Sequence, residues 1–425
     1  MHPDRLQIPE LLTPATIPVI RAETIELDNG LRVYVINAGT EDVVKLDLVF
    51  PSGAGGKHNF SIASAAHHLI DTGTSSKKAI DIAESFDFYG SYLQTDFGPD
   101  WKSISLYSLS RFFNESLKDL MEILYDASYP EEEVENWKLR TIQSLKINRE
   151  KVSWLSKVAF NESLFGADHP YGITSMESDY EKTDALSIRK FYKENYNIAR
   201  ATIIISGKAG SNVIKVLNDT FGKIKISNSV DALVLQNIIP EILHSKKIIE
   251  KKEAVQSGIR IGKKLFSKNH PDYQPLQIAN TILGGYFGSR LMSNIREDKG
   301  YTYGIGSGIH PHLNSGFFYI ATEVGTDIRD AAIKEIYFEI NRLVSEPVPE
   351  AELALVKNYL IGSFQRSLDG PFALADRFRG IHLFGLGYDF LNNYVKLLHS
   401  ITPERVMEVA SRHLQPGTMN EIIAG

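Results

Sequence analysis

Two segments half a chain apart are written to one plan. "TDALSIRKFYKENYNIARATIIISG" ends at Gly207 and "TPERVMEVASRHLQPGTMNEIIAG" ends at Gly425. Each opens on Thr and an acid, a helix-start signal. Each then runs through a helical stretch, turns, and closes on an apolar strand that stops at glycine. Self-similarity on this scale means a duplicated structural unit. The openings of the two halves agree more loosely. "DVVKLDLVFPSGA" (42–54) and "AVQSGIRIGKKLF" (254–266) each read as a strand running into a loop. Each precedes a helix of small and apolar residues, at 61–72 and at 272–283. "GLRVYVINAG" and "WKSISLYSLS" alternate as strands do. "EEEVENWKLRTIQSLKINRE" reads as a helix that opens with acids after Pro130, as the helix dipole favours. Strand pairs adjoining in sequence, mixed with helices in no strict βαβ order, predict an α+β fold. It consists of two duplicated domains, each a largely antiparallel sheet packed against long helices. The expected boundaries are an extended arm over 1–20, a first domain over 21–225, a linker over 226–245 and a second domain over 246–425. Ser, Asn and Pro gather in the linker and the periodicity fades there.

The length of 425 residues fits this division, because one hydrophobic core rarely serves so long a chain. The net charge of −6, with no segregated basic surface, argues against a nucleic-acid partner. The densest basic stretch, "HSKKIIEKKE" (244–253), is interleaved with acids and reads as a solvated face. No apolar run approaches the roughly 20 residues that span a bilayer. Pro3, Pro9, Pro14 and Pro18 space out the first twenty residues, which fits an arm in extended polyproline geometry. That stretch does not read as a signal peptide, so a cytoplasmic location is expected, or a periplasmic one if a signal has been removed. There is no cysteine, so a catalytic metal would need His, Asp or Glu.

The stretch "SIASAAHHLIDTGT" (61–74) holds the paired histidines His67 and His68. On a helix Ser64 shares a face with His68, while His67 points away. Adjacent histidines on a straight helix cannot both chelate one ion, and a catalytic zinc needs three protein ligands plus a water. Asp71, four residues after His67 and three after His68, is the acid within helical reach. From the residues alone, structural or surface histidines and a metal site both remain open. A second stretch, "NTILGGYFGSRLMSNIREDKGYTYGIGSGI" (280–309), places Leu291 and Ile295 on the apolar face of a helix. A strand is expected after Gly300, with Tyr301, Tyr303, Ile305, Ser307 and Ile309 on one face and Thr302, Gly304, Gly306 and Gly308 on the other. Bare glycine faces invite close approach of another backbone or of a ligand. "GIGSGI" lacks the dinucleotide pattern, and neither a nucleophile elbow nor a P-loop occurs.

This second stretch resembles the second-half signature of the insulinase and mitochondrial processing peptidase family of zinc peptidases, in particular its small bacterial two-domain members. The likeness extends to "LDNGLRVYVI" (27–36), to "GT" at 73–74, to "HPYG" at 169–172 and to both closing strands. It implies that Arg296 and Tyr303 bind the substrate backbone near the scissile bond. Laying the family's H-x-x-E-H zinc motif over "SAAHH" puts Ser64 at the first ligand, His67 at the general base and His68 at the second ligand. The family's third ligand is a Glu in a later helix, here around 138–147, yet no acid occurs between Glu135 and Glu150. The resemblance therefore implies a degenerate zinc motif with no metal bound by this chain. The expected role is a non-catalytic, substrate-binding subunit of a heterodimeric zinc metallopeptidase that acts on short or unfolded peptides. Zinc is expected in a homologous catalytic partner with an intact H-x-x-E-H, and a homodimer when the partner is missing. The competing expectations are a peptide-holding or structural protein of the same fold, and a metal peptidase using His68, Asp71 and a distant acid. "GGYFGSRL" is shorter than the glycine-rich loop of the processing peptidase's non-catalytic subunit, which counts against presequence recognition.

Overall fold

A computed structural model describes residues 17–54, 56–226 and 245–425. Most of the expected linker and the first sixteen residues of the expected arm lie outside the described residues. Of the arm, Ile17 and Val19 pack on a cluster formed by Phe364, Ile381, Leu391 and Val395.

The architecture is α+β with two sheets. The first contains β1 (Glu23–Glu26), β2 (Arg32–Asn37), β3 (Val43–Pro51), β4 (Tyr92–Phe97), β5 (Trp101–Leu109) and β6 (Thr202–Gly207). The second contains β7 (Lys246–Ile249), β8 (Gln256–Leu265), β9 (Ile305–Pro311), β10 (Gly316–Gly325) and β11 (Asn420–Ala424). Strand order is β1-β2-β6-β3-β5-β4 in one and β7-β11-β8-β10-β9 in the other. Apart from β1, the two orders superpose strand for strand. In each sheet the closing strand makes the one parallel pairing, β6 with β2 and β11 with β7, and every other pairing is antiparallel.

The closing glycines show how literal the duplication is. Gly207 has φ +112° and Gly425 φ +120°. A Cβ on the first would run into the carbonyl of Val43, and on the second into that of Gln256. Val43 and Gln256 open β3 and β8, so the same backbone contact recurs in both halves, and only glycine adopts it without strain.

Each sheet carries its own core on one face. Val33, Leu46, Leu48, Ile104 and Leu106 face Leu117, Leu120 and Ile188 in the first. Ile259, Ile261, Phe318 and Ile320 face Ile336, Ile340 and Val406 in the second. On the opposite face the halves exchange helices. Val152–Phe165 leaves the first half to pack on β8 and β11, setting Phe160, Leu164 and Phe165 against Ile422. Pro371–His382 makes the reverse crossing onto β6 and β2, setting Leu374 and Phe378 against Ile36 and Ile204.

Two local expectations are corrected. The helix bearing the histidines runs over Gly56–His68 and ends there, so Asp71 lies past it and not on its face. The Thr72 hydroxyl and amide both turn back to the Leu69 carbonyl, which satisfies the helix end locally. The strand expected from Tyr301 begins only at Ile305, where it pairs with Thr322. Thr302 is the cause. Its hydroxyl accepts from the Gly304 amide and donates to the Glu323 carbonyl, so a side chain replaces the ladder bonds and bends the chain away.

Candidate functional site

The histidine helix is held against the first sheet by Ile62, Ala63, Ala65, Ala66 and Leu69, all buried. The alanines let it sit close, and that places His67 inside the core and His68 on the surface. His67 is committed on both ring nitrogens. Nε2 lies 3.1 Å from the Ser103 carbonyl, which can only accept, so Nε2 carries the hydrogen. Nδ1 then accepts from the Tyr196 hydroxyl at 2.9 Å. This neutral tautomer fits the electrostatics. Burial above all, then the charges of His68 and Lys102, push the His67 pKa down to about 3.

Sequence reasoning did not single out Lys102, although the signal was available: it alternates in register with the core residues Ile104 and Leu106 of β5. The side chain is fully buried. Its ammonium donates to the Ser52 carbonyl at 3.0 Å and lies 4.4 Å from the Tyr196 ring centroid and 5.0 Å from that of Phe191. Burial lowers its pKa to about 7. Around the histidines, then, sits a cation whose charge already disfavours a second one.

The residues present do not fit a zinc ion. His67 has no free nitrogen. His68 donates from Nδ1 to the Ser64 carbonyl at 2.8 Å, which leaves only Nε2 to bind anything. Ser64 offers a neutral hydroxyl 3.3 Å from that same Nδ1. The helix Glu131–Arg149, where the third ligand would lie, carries Thr141, Ser144 and Leu145 and no acid after Glu135. Asp71 lies beyond the helix, its pKa raised by burial.

Arg296 and Tyr303 are held differently. Leu291 and Ile295, fully buried, anchor a π-helical turn over Met292–Asp298 that carries Arg296. Such turns recur at functional sites. The Arg296 guanidinium lies 4.8 Å from the Phe287 ring centroid, and among the described residues no carboxylate pairs with it. Its motif neighbour Arg290 is the contrast: buried, and clamped to Glu352 by two bonds of 2.8 Å. Tyr303 is 96% exposed, on the loop that Thr302 bends out of the sheet. It borders a cleft of about 450 Å³ walled by Gln256, Arg260, Thr322 and Glu323 of the second sheet and by Ser153 and Ser156 of the crossing helix. Of the predicted glycine face, Gly308 lies under the Tyr319 ring and Gly304 is open. No hydrogen bond, ion pair or ring contact among the described residues joins the histidines to Arg296 or Tyr303.

Residues 183–360 match the family model described as the peptidase M16 inactive domain. Over that stretch the chain is similar to an M16 inactive domain. Over 392 residues the chain is 25% identical to a Bacillus subtilis protein described as the uncharacterized zinc protease YmxG, covering 90% of this chain and 93% of that one. A Helicobacter pylori relative described as the non-peptidase homolog YmxG is 21% identical over 316 residues, 72% of this chain and 71% of that one. Among solved structures, a peptidase M16 inactive domain from Pseudomonas fluorescens superposes with a TM-score of 0.83 at 21% identity, covering 95% of this chain and 98% of that one. A protease from Helicobacter pylori superposes with a TM-score of 0.82 at 17% identity, covering 96% and 100%. At these identities the structural likeness establishes the fold of the chain.

Proposed function

We propose that this chain is the non-catalytic, substrate-binding subunit of a two-chain zinc metallopeptidase. In this reading it holds no zinc itself and lends Arg296 and Tyr303 to a partner with an intact H-x-x-E-H. One observation carries the reading: the side chains suited to hold a peptide are free, while the zinc motif offers a metal a single histidine nitrogen, Nε2 of His68, and holds His67, at the general-base position, locked inward. Among the described residues Arg296 has a ring contact with Phe287 and no carboxylate, and Tyr303 lies almost wholly in solvent, so neither is tied up in holding the fold. Their ordinary structural uses, an ion pair and core packing, are both absent among the described residues.

The chemistry divides accordingly. In the partner, an intact H-x-x-E-H would hold the metal, whose chemistry there would be to activate a water. Arg296 donates through its planar fork to carbonyl oxygens of an extended peptide, and Tyr303 donates its phenol hydrogen to the oxygen on which charge develops. Donors of this kind are worth about 3–4 kcal/mol of barrier each. Because main-chain oxygens are the acceptors, sequence preference is weak and short or unfolded peptides are the substrates.

The test is reconstitution. The purified chain alone should leave a quenched fluorescent peptide intact and carry well under one zinc per chain. Mixing with an H-x-x-E-H partner should start hydrolysis, Arg296→Ala should lower kcat/KM by about a hundredfold or more, and Tyr303→Phe by about tenfold. Chelator-sensitive hydrolysis by the lone chain defeats the reading. An Arg296→Ala mixture as active as wild type favours the peptide-holding role instead.

A further inference from the structure

A second cavity, of about 330 Å³, lies inside the second half, among the helices Tyr273–Asn280, Glu350–Arg366, Pro371–His382 and Tyr388–Ser400. Two cations line it, Lys268 and Arg377, and each lacks a carboxylate partner among the described residues. The Lys268 ammonium donates to the Gly380 carbonyl at 2.6 Å and rests 5.1 Å from the Phe384 ring centroid. Arg377 donates from Nε to the Ser367 hydroxyl at 2.7 Å and lies 5.7 Å from the Phe364 ring centroid. These contacts leave two ammonium hydrogens and both terminal guanidinium nitrogens unspent. The acid on the cavity wall, Asp376, is committed elsewhere: it bonds Lys45 of the first half at 2.9 Å and lies 3.5 Å from Arg379.

Like charges half-buried in one cavity without a counterion are costly. Burial and then the Arg377 charge lower the Lys268 pKa to about 8, and burial lowers that of Arg377. Chains usually relieve such a pair by placing an acid between them, and this one does not. The remaining walls supply hydrogen-bonding groups on an aromatic frame: Gln277, whose amide reaches the Tyr273 hydroxyl at 3.0 Å, and Tyr394 beside Arg377. Convergent polar groups set among aromatic and aliphatic walls suit a polar small molecule, and this volume lies near the lower end of the range of such sites.

We propose that Lys268 and Arg377 form a binding site for a small oxyanion, a carboxylate or phosphate group carried on a compact body. Arg377 presents its flat fork to two oxygens at once, and Lys268 adds a point charge from the facing loop. The site also bears on how the halves are joined. Arg377 and Asp376 are neighbours on the crossing helix, one facing the cavity and the other holding Lys45, so an anion fixes the helix that ties the halves together. The site is independent of the peptidase reading, and either stands if the other fails.

The full chain would be titrated separately with inorganic phosphate and with malonate at constant ionic strength, with chloride as control, reading thermal midpoint and calorimetric heat. A saturable rise in midpoint with one probe and not with chloride is expected, and the probe that acts tells a phosphate ligand from a carboxylate one. Lys268→Met and Arg377→Met each remove a repulsion, so the variants should fold and weaken the response by about tenfold or more. The proposal is overturned if neither probe saturates, if chloride does the same, or if both variants respond like wild type.

Discussion

Where the helix Pro371–His382 crosses onto the first sheet it meets charge. Where Val152–Phe165 crosses onto the second it meets glycine. The closing glycines fix the register, since Val43 and Gln256 make the same contact to Gly207 and Gly425. Counting two, four and six along from each, Lys45 stands opposite Gly258, Asp47 opposite Arg260 and Val49 opposite Gly262. The apolar contacts follow the same count, Ile36 with Ile249 and Ile204 with Ile422. On the first sheet the buried Lys45 bonds Asp47 at 3.2 Å and Asp376 of the crossing helix at 2.9 Å. On the second, Cβ atoms at Gly258 and Gly262 would strike the backbone of Val152 at 2.6 Å and the ring of Phe160 at 2.9 Å. One architecture is therefore locked twice, once by compensating charges and once by close backbone packing. The first lock fails on losing a charge, and the second on gaining a methyl group.

The largest effect is expected at the charged lock. Lys45→Met leaves the Asp47 carboxylate wholly buried with only the Ser105 hydroxyl beside it. Removing one partner of a buried pair typically costs about 3–5 kcal/mol. Urea unfolding should show that loss, and the double variant Lys45→Met with Asp47→Leu should recover most of it. A single variant within about 1 kcal/mol of wild type would mean the charges are ornamental. Next comes Gly262→Ala, which pushes a methyl group at the Phe318 carbonyl and the Phe160 ring. Overpacking of this kind costs about 1–3 kcal/mol. The glycine lock is disproved if the variant unfolds at the wild-type urea midpoint.

The sequence made the duplication visible because a glycine at positive φ is a backbone requirement spelled in one letter, and Gly207 and Gly425 spell it at the same point. The crossings were not legible. An amphipathic helix announces that it has an apolar face and not which sheet will cover it, so nothing in 152–165 or 371–382 names the other half as host. At the site, helical geometry correctly separated His67 from His68, but the burial of one and the exposure of the other depend on Ser103 and Tyr196, which are far away in sequence. The late start of β9 escaped for a similar reason, since alternation around Tyr301 says strand while the Thr302 hydroxyl takes the bonds a strand would need.

The smallest effect, and the one closest to the site, concerns Lys102. In the register that aligns the halves it stands where the second half has Phe318: Phe50 pairs with Lys102, and Lys263 with Phe318. Both side chains are fully buried, so a charge occupies a position that its counterpart fills with a ring. Lys102→Met should raise stability at neutral pH by about 1–3 kcal/mol, because the ammonium has a single carbonyl partner to offset its lost hydration. The pH dependence gives a sharper reading. The folded chain releases this proton near pH 7, whereas an unfolded lysine keeps it to about 10.4. The unfolded state therefore binds more protons across that window, and wild-type stability should climb with pH by up to about 1.4 kcal/mol per unit. The variant should lose this climb. Because the Lys102 charge also holds His67 below its usual range, the His67 titration followed by NMR should move upward in the variant. An unmoved His67, with equal alkaline climbs in both proteins, would show that Lys102 is no part of the electrostatics that keep a cation from the histidine helix.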